Sequence, residues 1–129
     1  MNSKTLTVSI KASPKKVFEF ASKPENMPKW AQAFCKSIKM DGNAWRIETP
    51  MGPAKVRFVT DAKNGVLDHY VEVAPGVTVY VPMRVVANGK DSEVIFTLFQ
   101  LPSMADDKFA EDIHMVEQDL STLKKCCEG

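Results

Sequence analysis

Residues 103–128 read SMADDKFAEDIHMVEQDLSTLKKCCE, and the spacing of their apolar members decides how the rest of the chain is read. Phe109, Ile113, Val116, Leu120, Leu123 and Cys127 step by fours and threes, drawing one apolar stripe along about six turns of helix. Such a helix is not stable with that stripe in water, so it needs a broad apolar surface to lie on. Ser103 and Asp106 resemble a capping box at its start, with Asp in place of the commoner Glu. Asp106, Asp107, Glu111 and Asp112 complement the dipole of the first turns and are not read as a catalytic pair.

The surface must come from residues 36–101. Five clusters, Asp41-Gly42-Asn43, Thr49-Pro50-Met51-Gly52-Pro53, Lys63-Asn64-Gly65, Ala74-Pro75-Gly76 and Asn88-Gly89-Lys90, punctuate β-branched and aromatic runs. Glycine beside Asn, Asp or Pro between such runs is hairpin-turn chemistry. Six strands follow: Lys36 to Met40, Ala44 to Thr49, Ala54 to Asp61, Val66 to Val73, Val77 to Ala87 and Ser92 to Leu101. Before them, Thr5 to Ala12 alternates, with Leu6, Val8 and Ile10 on one side, which is the period of a half-buried strand.

Ser13-Pro14 supplies an N-cap and first-turn proline for a short helix carrying Val17, Phe20 and Ala21. Ser22-Lys23-Pro24-Glu25 reads as a second capping box, and Met27, Trp30, Ala31 and Phe34 recur at helical spacing; Pro28 keeps this helix short. The expected fold is α+β, one domain over residues 1–129. A curved seven-stranded antiparallel sheet wraps the long C-terminal helix, and two short helices follow the first strand. A straight helix touches a strongly curved sheet along only part of its length, so a largely apolar cavity is expected between them.

Composition narrows the partners. Apolar residues make up 44% and charged residues 26%, which suggests neither disorder nor a membrane class. Seventeen Lys plus Arg against sixteen Asp plus Glu leave a net charge of +1, without the clustered basic footprint that nucleic acid requires. No apolar signal segment follows Met1, and Cys35, Cys126 and Cys127 form neither a disulfide framework nor a zinc-type pair, so a reducing cytoplasm is expected. Cys127 falls on the apolar stripe, and Cys126 beside it is the more exposed thiol. A homodimer is left open by the sequence.

The stretch Ile10-Lys11-Ala12-Ser13-Pro14-Lys15-Lys16-Val17-Phe18, followed by Pro24-Glu25-Asn26-Met27-Pro28-Lys29-Trp30, resembles the opening of the START and pollen-allergen-like (SRPBCC) superfamily. Val66-Leu67-Asp68-His69, Val81-Pro82-Met83-Arg84-Val85 and Asp119-Leu120-Ser121-Thr122-Leu123-Lys124 are similar to a short bacterial polyketide-cyclase-like subgroup. The resemblance covers nearly the whole chain and implies the helix-grip fold. It implies less about activity, because the superfamily mixes lipid-transfer proteins, cyclases, hydroxylase domains and chaperone activators. Two departures stand out. The glycine-rich loop of the plant members is reduced to Asp41-Gly42-Asn43, and the paired His and Cys ligands of the iron-sulfur members are absent.

His69 shares parity with Leu67, Val71 and Val73, whereas Asp68, Tyr70 and Glu72 take the other face, so its imidazole is expected to point into the cavity. There it is a ligand hydrogen-bonder, a general acid/base, or a core histidine satisfied by a backbone carbonyl. His114 lies roughly 140° from the stripe and is expected in solvent. No metal-ligand spacing occurs, and no metal or other cofactor is expected.

Trp30, Phe34, Trp45, Met83, Phe96, Phe99, Met104 and Phe109 supply an aromatic and methionine lining, with Trp30 and Phe34 as a lid over the mouth. Alternation does not allow both Phe96 and Phe99 inside an unbulged strand. Arg57, Asp68 and Arg84 share the polar parity of three strands and read as an outer salt ladder. Only a bulge near Pro82 turns Arg84 inward as a ligand contact. Three functions are carried forward. The first is a carrier or sensor for a small apolar or aromatic molecule, with His69 its main internal polar contact. The second is a cyclase- or dehydratase-type enzyme using His69, and the third a protein-interaction domain with a filled cavity.

Overall fold

The computed structural model describes residues 1–129. Its alternating first segment forms β1 (Ser3–Ile10), and Ser13 caps α1 (Pro14–Ala21) by accepting the Lys16 amide on its Oγ at 3.2 Å. A single 3-10 turn at Pro24–Asn26 leads into α2 (Met27–Trp30). The meander then runs through β2 (Ser37–Asp41), β3 (Ala44–Thr49), β4 (Gly52–Asp61), β5 (Val66–Ala74), β6 (Val77–Val81), β7 (Met83–Asn88) and β8 (Asp91–Phe99) to α3 (Asp106–Glu128). Strand order is β1-β8-β7-β5-β4-β3-β2, every pair antiparallel, with β6 hydrogen-bonded to β5 alone.

The expected architecture is therefore present, with three local corrections. The run Val77 to Ala87 is two strands, because Pro82 has no amide to donate and the chain turns there from β5 toward β8. The sheet thus has eight strands where seven were expected. Neither anticipated capping box forms: Lys23 precedes the 3-10 turn and Ala105 precedes α3, and neither makes a side-chain cap. The second helix stops at Trp30, leaving Phe34 in the following turn.

Sheet curvature has visible causes. A register shift between Glu72 and Ala74 bends β5, and the Pro82 break frees β6 from β8. The concave face presents Ile47, Val56, Val71, Met83, Val85 and Val94, all buried. Against it lies the C-terminal half of α3, where Leu120 and Leu123 sink into the core with Val17 of α1 and Met27 of α2. Polar ties fasten that end: Lys11 N–H donates to Glu128 Oε2 at 2.7 Å, and Lys124 Nζ donates to the Ser9 carbonyl at 3.0 Å. The N-terminal half of α3 is less deeply seated; none of its residues before Asp119 is fully buried.

Candidate functional site

Under that looser half of α3 lies a cavity of about 410 Å³. Its floor is the concave face of β4, β5, β6 and β8, its roof runs from Lys108 to Asp119 on one side of α3, and Trp30 to Phe34 close one end. Exposed Met51 and Val73 sit at the rim. Eighteen of the twenty-seven bordering residues are hydrophobic, so an apolar guest would gain by leaving water.

His69 is 4% exposed and stands in this floor between Phe58 and Phe96, with ring centroids at 5.9 Å and 6.2 Å. Parity puts it there, through its pairing with Phe58 on β4 and Val81 on β6. Nδ1 is 3.1 Å from the Leu67 carbonyl oxygen; a carbonyl only accepts, so Nδ1 carries the proton. Burial lowers the imidazole pKa below its ordinary 6.5, against the opposing pull of that carbonyl and the Asp68 charge. At neutral pH the ring is uncharged, and Nε2 is a lone-pair acceptor with no partner in the protein.

Asp119 borders the cavity from α3 and is 4% exposed. Its carboxylate accepts the amides of Ala33 at 2.8 Å and Phe34 at 3.3 Å, clamping the turn after α2 to the long helix. Burial raises its pKa to about 6, although those two amides and Lys36 pull the other way. The sequence carried a signal for this residue that pattern reading passed over: an acid one position from Leu120, inside the apolar face. Trp30 is equally deep at 4% exposed, and its Nε1–H is buried without a partner, an arrangement that costs about 1–3 kcal/mol.

No protein-family model and no curated protein matches the sequence. Solved structures do match, at low identity. The Aha1 dimer from Colwellia psychrerythraea aligns with TM-score 0.80 at 16% identity, covering 99% of this chain and 97% of that one. A START superfamily protein from Mycobacterium smegmatis gives 0.74 at 13%, covering 98% and 97%. The di-domain aromatase/cyclase StfQ of the steffimycin biosynthetic pathway gives 0.77 at 11%, covering 97% of this chain and 45% of that one. The chain has the helix-grip fold that these structures share. At these identities the likeness is one of fold and carries no ligand or reaction with it.

Within the helix-grip cavity the structure brings together Trp30, Phe34, His69, Phe96 and Met104. Trp30 is a buried wall rather than a lid, while half-buried Phe34 stands nearer the rim. Four anticipated residues lie elsewhere. Trp45 shares the concave face, paired with Val56, but sits beyond the cavity toward β2, because parity fixes a face and not a position along it. Met83 is 2% exposed and borders a neighbouring hollow of about 10 Å³ instead of the cavity. Phe109 is half-buried outside the cavity, since Lys108, Asp112 and Met115 occupy the side of α3 that faces it.

Arg84 is the fourth. No bulge turns it inward; on the outer face its Nε and Nη2 donate to Asp68 at 3.0 and 2.8 Å. Tyr80 Oη and the Met83 amide also donate to Asp68, at 2.7 and 2.9 Å. Burial would raise the Asp68 pKa, but the Arg84, Tyr80 and Met83 hydrogen bonds hold it down to about 2. Arg57 does not join a ladder; its guanidinium lies 4.6 Å above the Tyr70 ring. Phe96 faces inward as alternation requires. Phe99 has the opposite parity and borders the cavity at the seam where β6 and β8 run unpaired, stacked on Tyr80 at 6.4 Å.

Proposed function

We propose that this chain binds a small apolar or aromatic molecule between sheet and α3, as a carrier or sensor, with His69 as the main internal polar contact. The observation that carries this reading is the contrast along α3. The same helix that packs without a gap at Leu123 leaves about 410 Å³ open above a buried, uncharged histidine. A cavity of that size and lining suits a one- to three-ring compound. The open volume favours this reading over a protein-interaction domain with a filled interior. Three unpaired cysteines support work in a reducing cytoplasm, and the near-zero net charge gives nucleic acid no purchase. No helix is long and apolar enough to cross a membrane. The dimeric Colwellia neighbour supports testing a homodimer by light scattering.

Native mass spectrometry of purified protein, beside its denatured mass, tests the reading. An extra small mass that is lost on denaturation supports it. Equal masses, together with no thermal shift across a broad metabolite panel, contradict it.

A second reading rests on the Nε2 lone pair. A neutral imidazole in a largely apolar pocket can take a proton from carbon beside a carbonyl, the step a polyketide cyclase or dehydratase needs. The cyclase named among the structural neighbours supports considering it. His69→Ala separates the two: a carrier loses affinity severalfold, whereas an enzyme loses turnover while still binding its substrate.

A further inference from the structure

We infer that the main-chain carbonyl of Thr97 is a second polar anchor of the cavity, which takes an O–H or N–H from the ligand because Pro82, opposite it in the sheet, has none to give. This rests on the binding reading above and adds to it a new contact and a requirement on the ligand. The matching molecule has a flat apolar body with a hydrogen-bond donor at each end, one for His69 Nε2 and one for Thr97.

β5 shows the cavity a single parity, with His69, Val71 and Val73, as a strand paired on both sides does. β8 shows both parities, since Thr97 and Phe99 border the cavity beside the inward-facing Phe96 and Leu98. The Thr97 side chain is engaged on the outer face, where its Oγ1 pairs with Thr5 Oγ1 at 2.9 Å, so it is the backbone of Thr97 that meets the cavity. The residue is half-buried and therefore within reach of a guest.

One bond fixes the direction of that backbone. Thr97 N–H donates to the Pro82 carbonyl at 3.0 Å, which marks this as a position where an antiparallel ladder exchanges two hydrogen bonds. The Thr97 carbonyl faces the same way, and proline has no N–H to return. The ladder does not resume beyond it. The pairing of Met83 with Phe96, carried outward through Pro82–Thr97 and Val81–Leu98, sets Tyr80 opposite Phe99, yet β6 pairs with β5 alone. The seam is left open beyond Pro82, with an acceptor at its inner end that lacks the partner a regular sheet would supply. His69 pairs with Val81 on β6, so β6 separates the two acceptors by about two strand spacings, roughly 10 Å. A two-ring molecule with donors at opposite ends spans that distance once two hydrogen-bond lengths are included.

Calorimetric titration of 1,6-dihydroxynaphthalene and its two monomethyl ethers into the wild-type chain and Pro82→Ala tests this. Wild type should bind the diol more tightly than either ether by roughly fivefold, the worth of one neutral hydrogen bond, because each ether has lost one of the two donors. Pro82→Ala supplies the missing N–H, so the amide at position 82 should be protected from hydrogen exchange by its bond to the Thr97 carbonyl. In that variant one ether should come level with the diol, while the other, which has lost the donor for His69, stays weaker. The inference is overturned if either ether already matches the diol in wild type, if both ethers stay weaker in Pro82→Ala, or if the amide at position 82 exchanges freely. The first of these comparisons needs no variant. In all three cases tight binding of the diol leaves the apolar-cavity reading standing. If neither the diol nor the ethers bind, that reading falls with the inference.

Discussion

Asp119 holds its charge under strain, since burial opposes ionisation while two amides require an acceptor. Its folded pKa of about 6 lies above the ordinary 3.8, so proton uptake favours the folded state. That contribution is complete below pH 3.8 and is lost as pH rises through 6. Wild type should therefore gain stability over Asp119→Asn on going from pH 7 to pH 4, by roughly 2–3 kcal/mol in urea unfolding. His69 acts with the opposite sign, its lowered pKa removing stability as pH falls below 6.5, but it is common to both proteins and cancels. A pH-independent difference would contradict the assignment. Arg84 makes a different test: Arg84→Met breaks the pairing of a carboxylate that is 7% exposed and should cost roughly 2 kcal/mol. Affinity for 1-naphthol should stay within twofold, because Arg84 does not border the cavity. Parity in the sequence was enough to turn His69 inward and Arg84 outward. It was not enough to place Trp45 or Met83, since alternation carries no information about distance along a strand.

The elements differ in how much of them could be read. Hairpin punctuation located the strands because glycine at positive φ is a local demand, as at Gly65, where φ is +66° and an added Cβ would meet the Val85 carbonyl oxygen at 2.2 Å. Gly65→Ala should therefore cost about 2 kcal/mol or more, whereas Gly42→Ala, at φ +64° with open space, should cost about 1. Thermal unfolding of the two variants checks the order. The division at Pro82 was legible only as an irregularity, because which neighbour a strand abandons is a property of the sheet. The azimuth of α3 was half legible: its stripe marks the packed face correctly at Leu120, Leu123 and Cys127 but names Phe109 where Lys108 and Asp112 face the cavity. Leu120→Ala should cost 2–5 kcal/mol on the scale of buried leucines. Met115→Ala, which trims a wall that already borders open space, should cost under about 1 kcal/mol.

At the scale of the whole molecule, one end of the helix is clasped and the other bridges a hollow, and a polar point sits at the bottom of that hollow. Sequence order sufficed for the clasp, because a 23-residue amphipathic helix has only one apolar face of matching size to rest on. The hollow follows from curvature, to which the register shift in β5 and the proline between β6 and β7 contribute. The most direct test is a long-range proton–nitrogen NMR spectrum of the two imidazoles at pH 7, recorded before and after addition of 1-naphthol. The account predicts that His69 is neutral with its proton on Nδ1, and that its Nε2 resonance shifts on addition while exposed His114 does not respond. A charged His69, or an Nε2 resonance unmoved at saturating ligand, would contradict it.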